Sequence, residues 1–271
     1  MRTRLLSIAV LVPTVLCCIY CGGWLFWGLV ILWLTLAEVE FWRLTSVGPH
    51  RPSLVVGLAM LWLFLLDVQF PQLEAVQPGM AMLLLVSLAW QMSHRQGNPI
   101  ANWALALSGG LYLGLCGACI VRLRGLEPDG LWWTLTVLPA IVFADAGAYI
   151  IGRSWGRRKL APRLSPGKTW EGYVGGCLVS VLLTFGITLV WRDFAGASAI
   201  TGWSGLVLGV LIGALAPLGD LAISMLKRQA GVKDSGRIIP GHGGALDRID
   251  SVLWAAVIGY YAVLWIVPLV S

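Results

Sequence analysis

Long apolar runs, separated by short polar clusters, occupy most of the 271-residue chain. A helix that spans a bilayer needs about 20 mostly apolar residues. By that rule the runs predict helices near 5–21, 23–42, 53–68, 79–93, 101–121, 131–151, 171–191, 203–226 and 251–270. The expected fold is all-α, a polytopic integral membrane protein of about nine transmembrane helices. Helices one to five fill 1–122 and helices six to nine fill 123–271, the second part carrying the cytoplasmic loops, in one continuous membrane domain.

Composition supports this class. The chain is 58% hydrophobic and 12% charged, against roughly 45–50% and about 25% in soluble domains. With the N-terminus in the cytoplasm, 16 of the 19 Lys and Arg fall inside, and Arg122, Arg124 and Arg192 fall outside. That asymmetry is the positive-inside pattern. A helix too many or too few in the first half would put basic loops on the wrong side. The net charge of +6 does not indicate nucleic acid, because no soluble module interleaves aromatic with basic residues. The run Leu5 to Tyr20 follows Arg2 and Arg4 like a signal peptide but lacks a small-x-small cleavage site, so it reads as a retained first helix.

Other features have plain readings. The six cysteines show no disulfide spacing, and Cys116-x-x-Cys119, inside an apolar run without nearby His or Asp, reads as helix packing. Trp24, Trp27, Trp33 and Trp42 suit an interfacial aromatic belt. Glu38 and Glu40, where the second helix meets the cytoplasm, read as solvated, as do His50 and His94 in short loops. No internal repeat is evident, which weakens a transporter built on inverted repeats.

The second half carries the candidate chemistry. Asp145, two turns inside the sixth helix, is costly in lipid and must face the bundle interior or a wet cavity; a structural contact between helices is the alternative. The next loop contains Ser165-Pro166-Gly167-Lys168-Thr169-Trp170-Glu171-Gly172. Gly-Lys-Thr is not a P-loop here, since Pro162 replaces its first glycine and a helix, not a strand, precedes it. Ser165 and Thr169 offer hydroxyls, Lys168 a point charge, and the helix start free N–H groups, all suited to phosphate. The bland reading is a basic loop with Ser165-Pro166 starting the helix.

Asp220 to Asp250 packs four Asp, five Lys or Arg and one His between apolar runs. Charge that dense between membrane-grade segments implies a function. Asp220, Ser224 and Lys227 share one face of the eighth helix, leading from a carboxylate in the apolar run to cations at the surface. Gly231, Gly236, Gly241, Gly243 and Gly244 let backbone N–H groups approach a ligand. The ninth helix is expected to begin near Asp247, with Arg248 and Asp250 in its first turn; both aspartates could simply be caps. Beside phosphates, the carboxylates call for a hard divalent cation. His242 fits a phosphate donor or loop-orienting group better than a base, because a phosphate monoester nucleophile is already anionic.

Ser224-x-x-Lys227-Arg228, Lys233-Asp234 and Pro240-Gly241-His242-Gly243-Gly244-x-x-Asp247-Arg248-x-Asp250 resemble the signature of the phosphatidate cytidylyltransferases (CDP-diacylglycerol synthases). Asp145-x-x-Ala148-Tyr149-x-x-Gly152-Arg153 and the Ser165 to Gly172 stretch resemble the bacterial type. The resemblance implies transfer of CMP from CTP to phosphatidate, giving CDP-diacylglycerol and pyrophosphate. It implies Mg²⁺, leaves a second cation open, and points to the bacterial plasma (inner) membrane. With the residue chemistry it assigns Asp220, Lys227, Arg228, Asp247, Arg248 and His242 to catalysis. It assigns Ser165, Lys168, Thr169, Ser224, Lys233, Gly243 and Gly244 to substrate binding, and Asp145, Asp220 and Asp247 to metal, with Asp220 and Asp247 sharing an ion. The expected partners are CTP, phosphatidate and the bilayer, with a homodimer left open and no nucleic acid. A CTP-dependent kinase of a lipid alcohol, an anion transporter and a non-catalytic membrane scaffold are the rival readings.

Overall fold

The computed structural model describes residues 2–93, 97–236 and 243–270, and the side chains of all of these except 2–8 and 270. In chain order come α1 (Arg2–Cys21), α2 (Gly23–Thr45), α3 (Leu54–Gln69), α4 (Val76–Ser93), α5 (Pro99–Arg124) and α6 (Gly130–Trp155). A hairpin of β1 (Lys159–Ala161) and β2 (Ser165–Thr169) follows, then α7 (Trp170–Ala195), α8 (Gly202–Leu215), α9 (Pro217–Gln229), α10 (Asp250–Trp265) and α11 (Val267–Val270). Single 3₁₀ turns occupy Pro71–Leu73 and Leu246–Arg248.

All nine predicted runs are helical. Among the described residues, six segments are long and apolar enough to cross a membrane: α2, α5, α6, α7, α8 together with α9, and α10 extended to Leu269. Ala9–Cys21 and α3 are apolar but shorter. Gln77, Pro78 and Gly79 dilute the start of α4.

Three boundaries differ from expectation. The eighth run breaks at Ala216, because Pro217 has no N–H to return to the Gly213 carbonyl and instead starts a new helix. The ninth begins at Asp250, not Asp247, and ends early near Pro268. Ser165-Pro166 does not start a helix; it lies in β2, and α7 starts at Trp170 behind the cap Thr169.

The chain forms two compact units. One comprises Met1–Val121 with Leu226–Arg248. Its core joins α3, α4 and α5 through Met60, Phe64, Leu84, Trp103 and Leu107. A Cβ on Gly110 would lie 2.2 Å from the Gly57 carbonyl oxygen, so α5 and α3 touch backbone to backbone. Cys116 and Cys119 are buried and form no disulfide. Glu38 and Glu40 are not solvated: they are 2% and 0% exposed. Gly57 and Gly109 close over the Glu38 carboxyl. His50 is not simply solvated either, since its Nδ1 is buried; His94 lies outside the described residues. Three of the belt tryptophans also brace the unit, Trp27, Trp33 and Trp42 donating to the carbonyls of Leu65, Ala245 and Pro52.

The other unit comprises Arg122–Met225 with Ile249–Ser271. Trp133, Val137, Ile141, Leu208, Ile212 and Ala255 build its core from α6, α8 and α10. The α6–α7 contact is made by small residues, as expected where lipid supplies no hydrophobic drive between helices. A Cβ on Gly176 would lie 2.5 Å from the Ala144 carbonyl oxygen, and one on Gly172 2.7 Å from that of Ala148. Ser180 Oγ donates across the seam to Ala140 O at 3.0 Å.

Candidate active site

The sequence-assigned residues divide between the two units. In the second, the helix break organises them. Asp220 lies in the first turn of α9, not mid-helix as the sequence suggested, so its negative charge meets the positive end of a helix dipole. Ser224 Oγ donates to Asp220 Oδ1 at 3.3 Å. Lys168 Nζ lies 2.8 Å from Asp220 Oδ2 and also reaches the Pro217 carbonyl at 3.4 Å. On the other side of the break, the Tyr173 hydroxyl donates to Ala214 O. Asp145 is close enough to feel the charges of both Lys168 and Asp220.

The hairpin delivers Lys168. β1 and β2 pair antiparallel, Lys159 opposite Thr169 and Ala161 opposite Ser165. Glu171, in the first turn of α7, accepts the N–H groups of Arg157 at 3.0 Å and Arg158 at 3.1 Å, clasping the hairpin to the helix. Thr169 is buried, and its hydroxyl accepts the Gly172 N–H at 3.2 Å, so it works as a cap. A cavity of about 480 Å³ opens here, lined by Asp145, Tyr149, Arg153, Ser165, Lys168, Thr169, Tyr173, Cys177 and Pro217 among others. Carboxylate, cations and hydroxyls thus line one chamber whose remaining wall is apolar.

In the first unit the centre is Asp247, in a 3₁₀ turn. Lys227 Nζ donates to its Oδ1 at 2.7 Å, and Ser235 N and Gly244 N donate to its Oδ2 at 2.8 and 3.1 Å. Burial alone would push this carboxyl up; the Lys227 ammonium and the two N–H groups outweigh it and hold the carboxyl below its ordinary range. Asp247 is therefore no helix cap but an anion wrapped by donors. The Gly244 amide is committed to it, and Gly243, at φ +84°, makes the turn that brings that amide round. Arg228, Lys233 and Arg248 are exposed. Arg228 Nη1 donates to Val232 O at 3.4 Å. His242 lies outside the described residues.

Pro217, Tyr173 and Ser235 escaped the sequence reading, and Glu40 was read there only as solvated. Proline inside an apolar run is a break signal, and Glu38 shares a helical face with Leu34, Phe41 and Thr45, all buried. Nothing in the local sequence marks Ser235.

Each unit holds carboxylates that a divalent cation could take. Among the described residues no group of three or more His, Cys, Asp or Glu forms a ready-made cage. Mg²⁺ needs none, because it takes one or two carboxylates and completes its shell with phosphate oxygens and water. Asp247 is kept ionised, and Asp145 and Asp220 gather about one lysine.

Fold and site together define a multi-pass membrane protein whose polar chamber suits a phosphorylated ligand. A family model described as "Cytidylyltransferase family" matches residues 2–266. The chain belongs to that family. It is similar to the phosphatidate cytidylyltransferase of Haemophilus influenzae, 42% identical over 178 residues, 64% of this chain and 61% of that one. It is similar to the protein of that name from Bacillus subtilis, 38% identical over 151 residues, 56% and 54% of the two chains. The Synechocystis protein of that name is 43% identical over 148 residues, 53% and 47% of the two chains. These matches thus span half to three fifths of the relatives' length.

Proposed function

We propose that the protein transfers CMP from CTP to phosphatidate, forming CDP-diacylglycerol and pyrophosphate for phospholipid biosynthesis. The observation that carries this reading is the similarity to phosphatidate cytidylyltransferases, 42% over 178 residues in one case. The chamber around Lys168 supports it, offering ammonium and guanidinium groups beside carboxylates.

In this reading a phosphatidate oxygen attacks the α-phosphorus of CTP, and the bond to the β-phosphate oxygen breaks, releasing pyrophosphate. The attacking phosphate monoester is already anionic near neutral pH, so no side chain need take its proton. What such a transfer asks of a protein is positioning and charge neutralisation. Lys168, Ser165, Arg153 and Tyr149 line the chamber and would hold phosphate oxygens. Lys227, Arg228, Lys233 and Arg248, with Gly243 and His242, are assigned to the same polyanion on the strength of the sequence signature. Asp145, Asp220 and Asp247 are the carboxylates that would hold Mg²⁺; when bound, it would supply countercharge to the triphosphate. We further propose nine spans in a bacterial plasma membrane, with the N-terminus and both basic loops cytoplasmic; the positive-inside asymmetry supports this.

The test is purified protein with phosphatidate and CTP labelled at the α-phosphate. Labelled lipid and pyrophosphate should appear one for one. Release of CDP would indicate a lipid kinase instead, and no turnover of CTP would overturn the reading.

A further inference from the structure

Glu40 is a buried carboxyl in α2 whose Oε1 has no hydrogen-bond partner among the described residues. Carboxyl groups are costly in such surroundings, and one that persists there has something to hold. Its Oε2 lies 2.8 Å from Ser235 Oγ and accepts the Leu246 N–H at 2.9 Å. Ser235 in turn gives its backbone N–H to Asp247 Oδ2, with its Oγ 2.9 Å from that same oxygen. Gly244, the other amide on Oδ2, sits so close to Glu40 that a Cβ there would lie 2.2 Å from Oε2; a Cβ on Gly236 would lie 2.1 Å from Oε1. Two turns earlier in α2, Trp33 Nε1 donates to Ala245 O at 3.1 Å. One helix thus grips both described stretches, 235–236 and 244–246, that supply the amides on Asp247.

We infer that Glu40 is a positioning residue for Asp247. It fixes Ser235, Gly244 and Leu246, and these fix Oδ2, so that Oδ1 faces Lys227 in one orientation. The inference rests on Asp247 being a site carboxylate, as proposed above. Its effect belongs to turnover and cation use, because Glu40 reaches the site through donors that hold Asp247 and not through substrate.

The test combines steady-state kinetics with amide hydrogen exchange on the full chain in lipid nanodiscs. Glu40→Ala should slow kcat about 10- to 100-fold and raise the Mg²⁺ needed for half-maximal rate, with KM for CTP moving less than about threefold. Exchange should quicken at the amides of Ser235, Gly244 and Leu246. Glu40→Gln keeps an acceptor at the Oε2 position and should restore most of the rate. Adding Ser235→Ala to Glu40→Ala should cost little more, since both act on one oxygen. A folded Glu40→Ala protein with unchanged kcat, Mg²⁺ dependence or amide exchange overturns the inference, as do multiplicative effects in the double variant. Should Glu40→Ala fail to accumulate, Glu40→Asp, which withdraws the carboxyl by one methylene, must show the same Mg²⁺ shift or overturn it. An unmodified protein that makes no lipid nucleotide overturns the functional reading instead, and the exchange comparison still decides whether Glu40 orders the Asp247 wrap.

Discussion

Lys168 and Lys227 each meet an aspartate, at 2.8 and 2.7 Å, yet the two bonds carry different weight. The Lys168 and Asp220 side chains are 25% and 31% exposed, and a wet pair of this kind contributes about 0–1 kcal/mol. The Lys227 and Asp247 side chains are 11% and 9% exposed, so removing one strands a nearly buried charge at a cost of about 3–5 kcal/mol. Lys168→Gln and Asp220→Asn should therefore lower turnover sharply while leaving the thermal midpoint in detergent almost unmoved. Asp247→Asn should lose turnover and lower the midpoint by on the order of 10 °C. An equal fall in midpoint for all three would make Lys168 and Asp220 structural. Acid separates them again. Asp247 is held below its ordinary value, so it adds stability above the unfolded carboxyl pKa of about 3.9 and loses it as pH falls through the lower folded value. Midpoints followed from pH 7 down past about pH 4 should show an acid-induced loss that Asp247→Asn reduces; an identical profile in both would remove Asp247 as its source.

The break between α8 and α9 is the element that most shapes the chamber. Pro217→Ala supplies the missing N–H, and in a fused α8–α9 helix it would remove the roughly 3 kcal/mol penalty of an interior proline. It should raise the midpoint and lower turnover, since Asp220 would leave the first turn and the residue-217 carbonyl would shift relative to Lys168; full activity in this variant would show the break to be incidental. The same element shows what the sequence could and could not reveal. Apolar length is a coarse quantity, and all nine runs were legible from it. Pro217 was in plain view, but it sits within an apolar run whose hydropathy is the same whether the helix is whole or broken. The hairpin was hidden for another reason, as Lys159 and Thr169 pair with the help of Glu171, which closes the loop from beyond it. Asp145, Lys168, Asp220 and Asp247 could be picked out because charge is rare in such a chain. Glu38 and Glu40 were equally visible, yet their burial depends on glycines at 57, 109, 236 and 244, which no local window joins to them.

At the scale of the molecule, six segments among the described residues are of spanning length and apolarity, while the proposed arrangement has nine crossings. Single cysteines placed in 153–168 and 229–245, in a background lacking the native six, should both react with an impermeant thiol reagent only from the cytoplasmic side. Reaction of either from outside would remove the nine-span arrangement. The seam between α6 and α7 bears on a different matter, the order in which the protein is made. These two helices are consecutive, their clasp is local, and their contact is backbone on backbone at Gly172 and Gly176. Helices in lipid associate through such direct contact, so the pair has all it needs to close while the ribosome is still adding α8. One wall of the chamber, with Asp145 and Lys168 upon it, is thus encoded wholly upstream of Asp220. Asp220 and, later still, Asp247 are added to the chain only after every residue of that wall, so chain order sets which part of the site can assemble first.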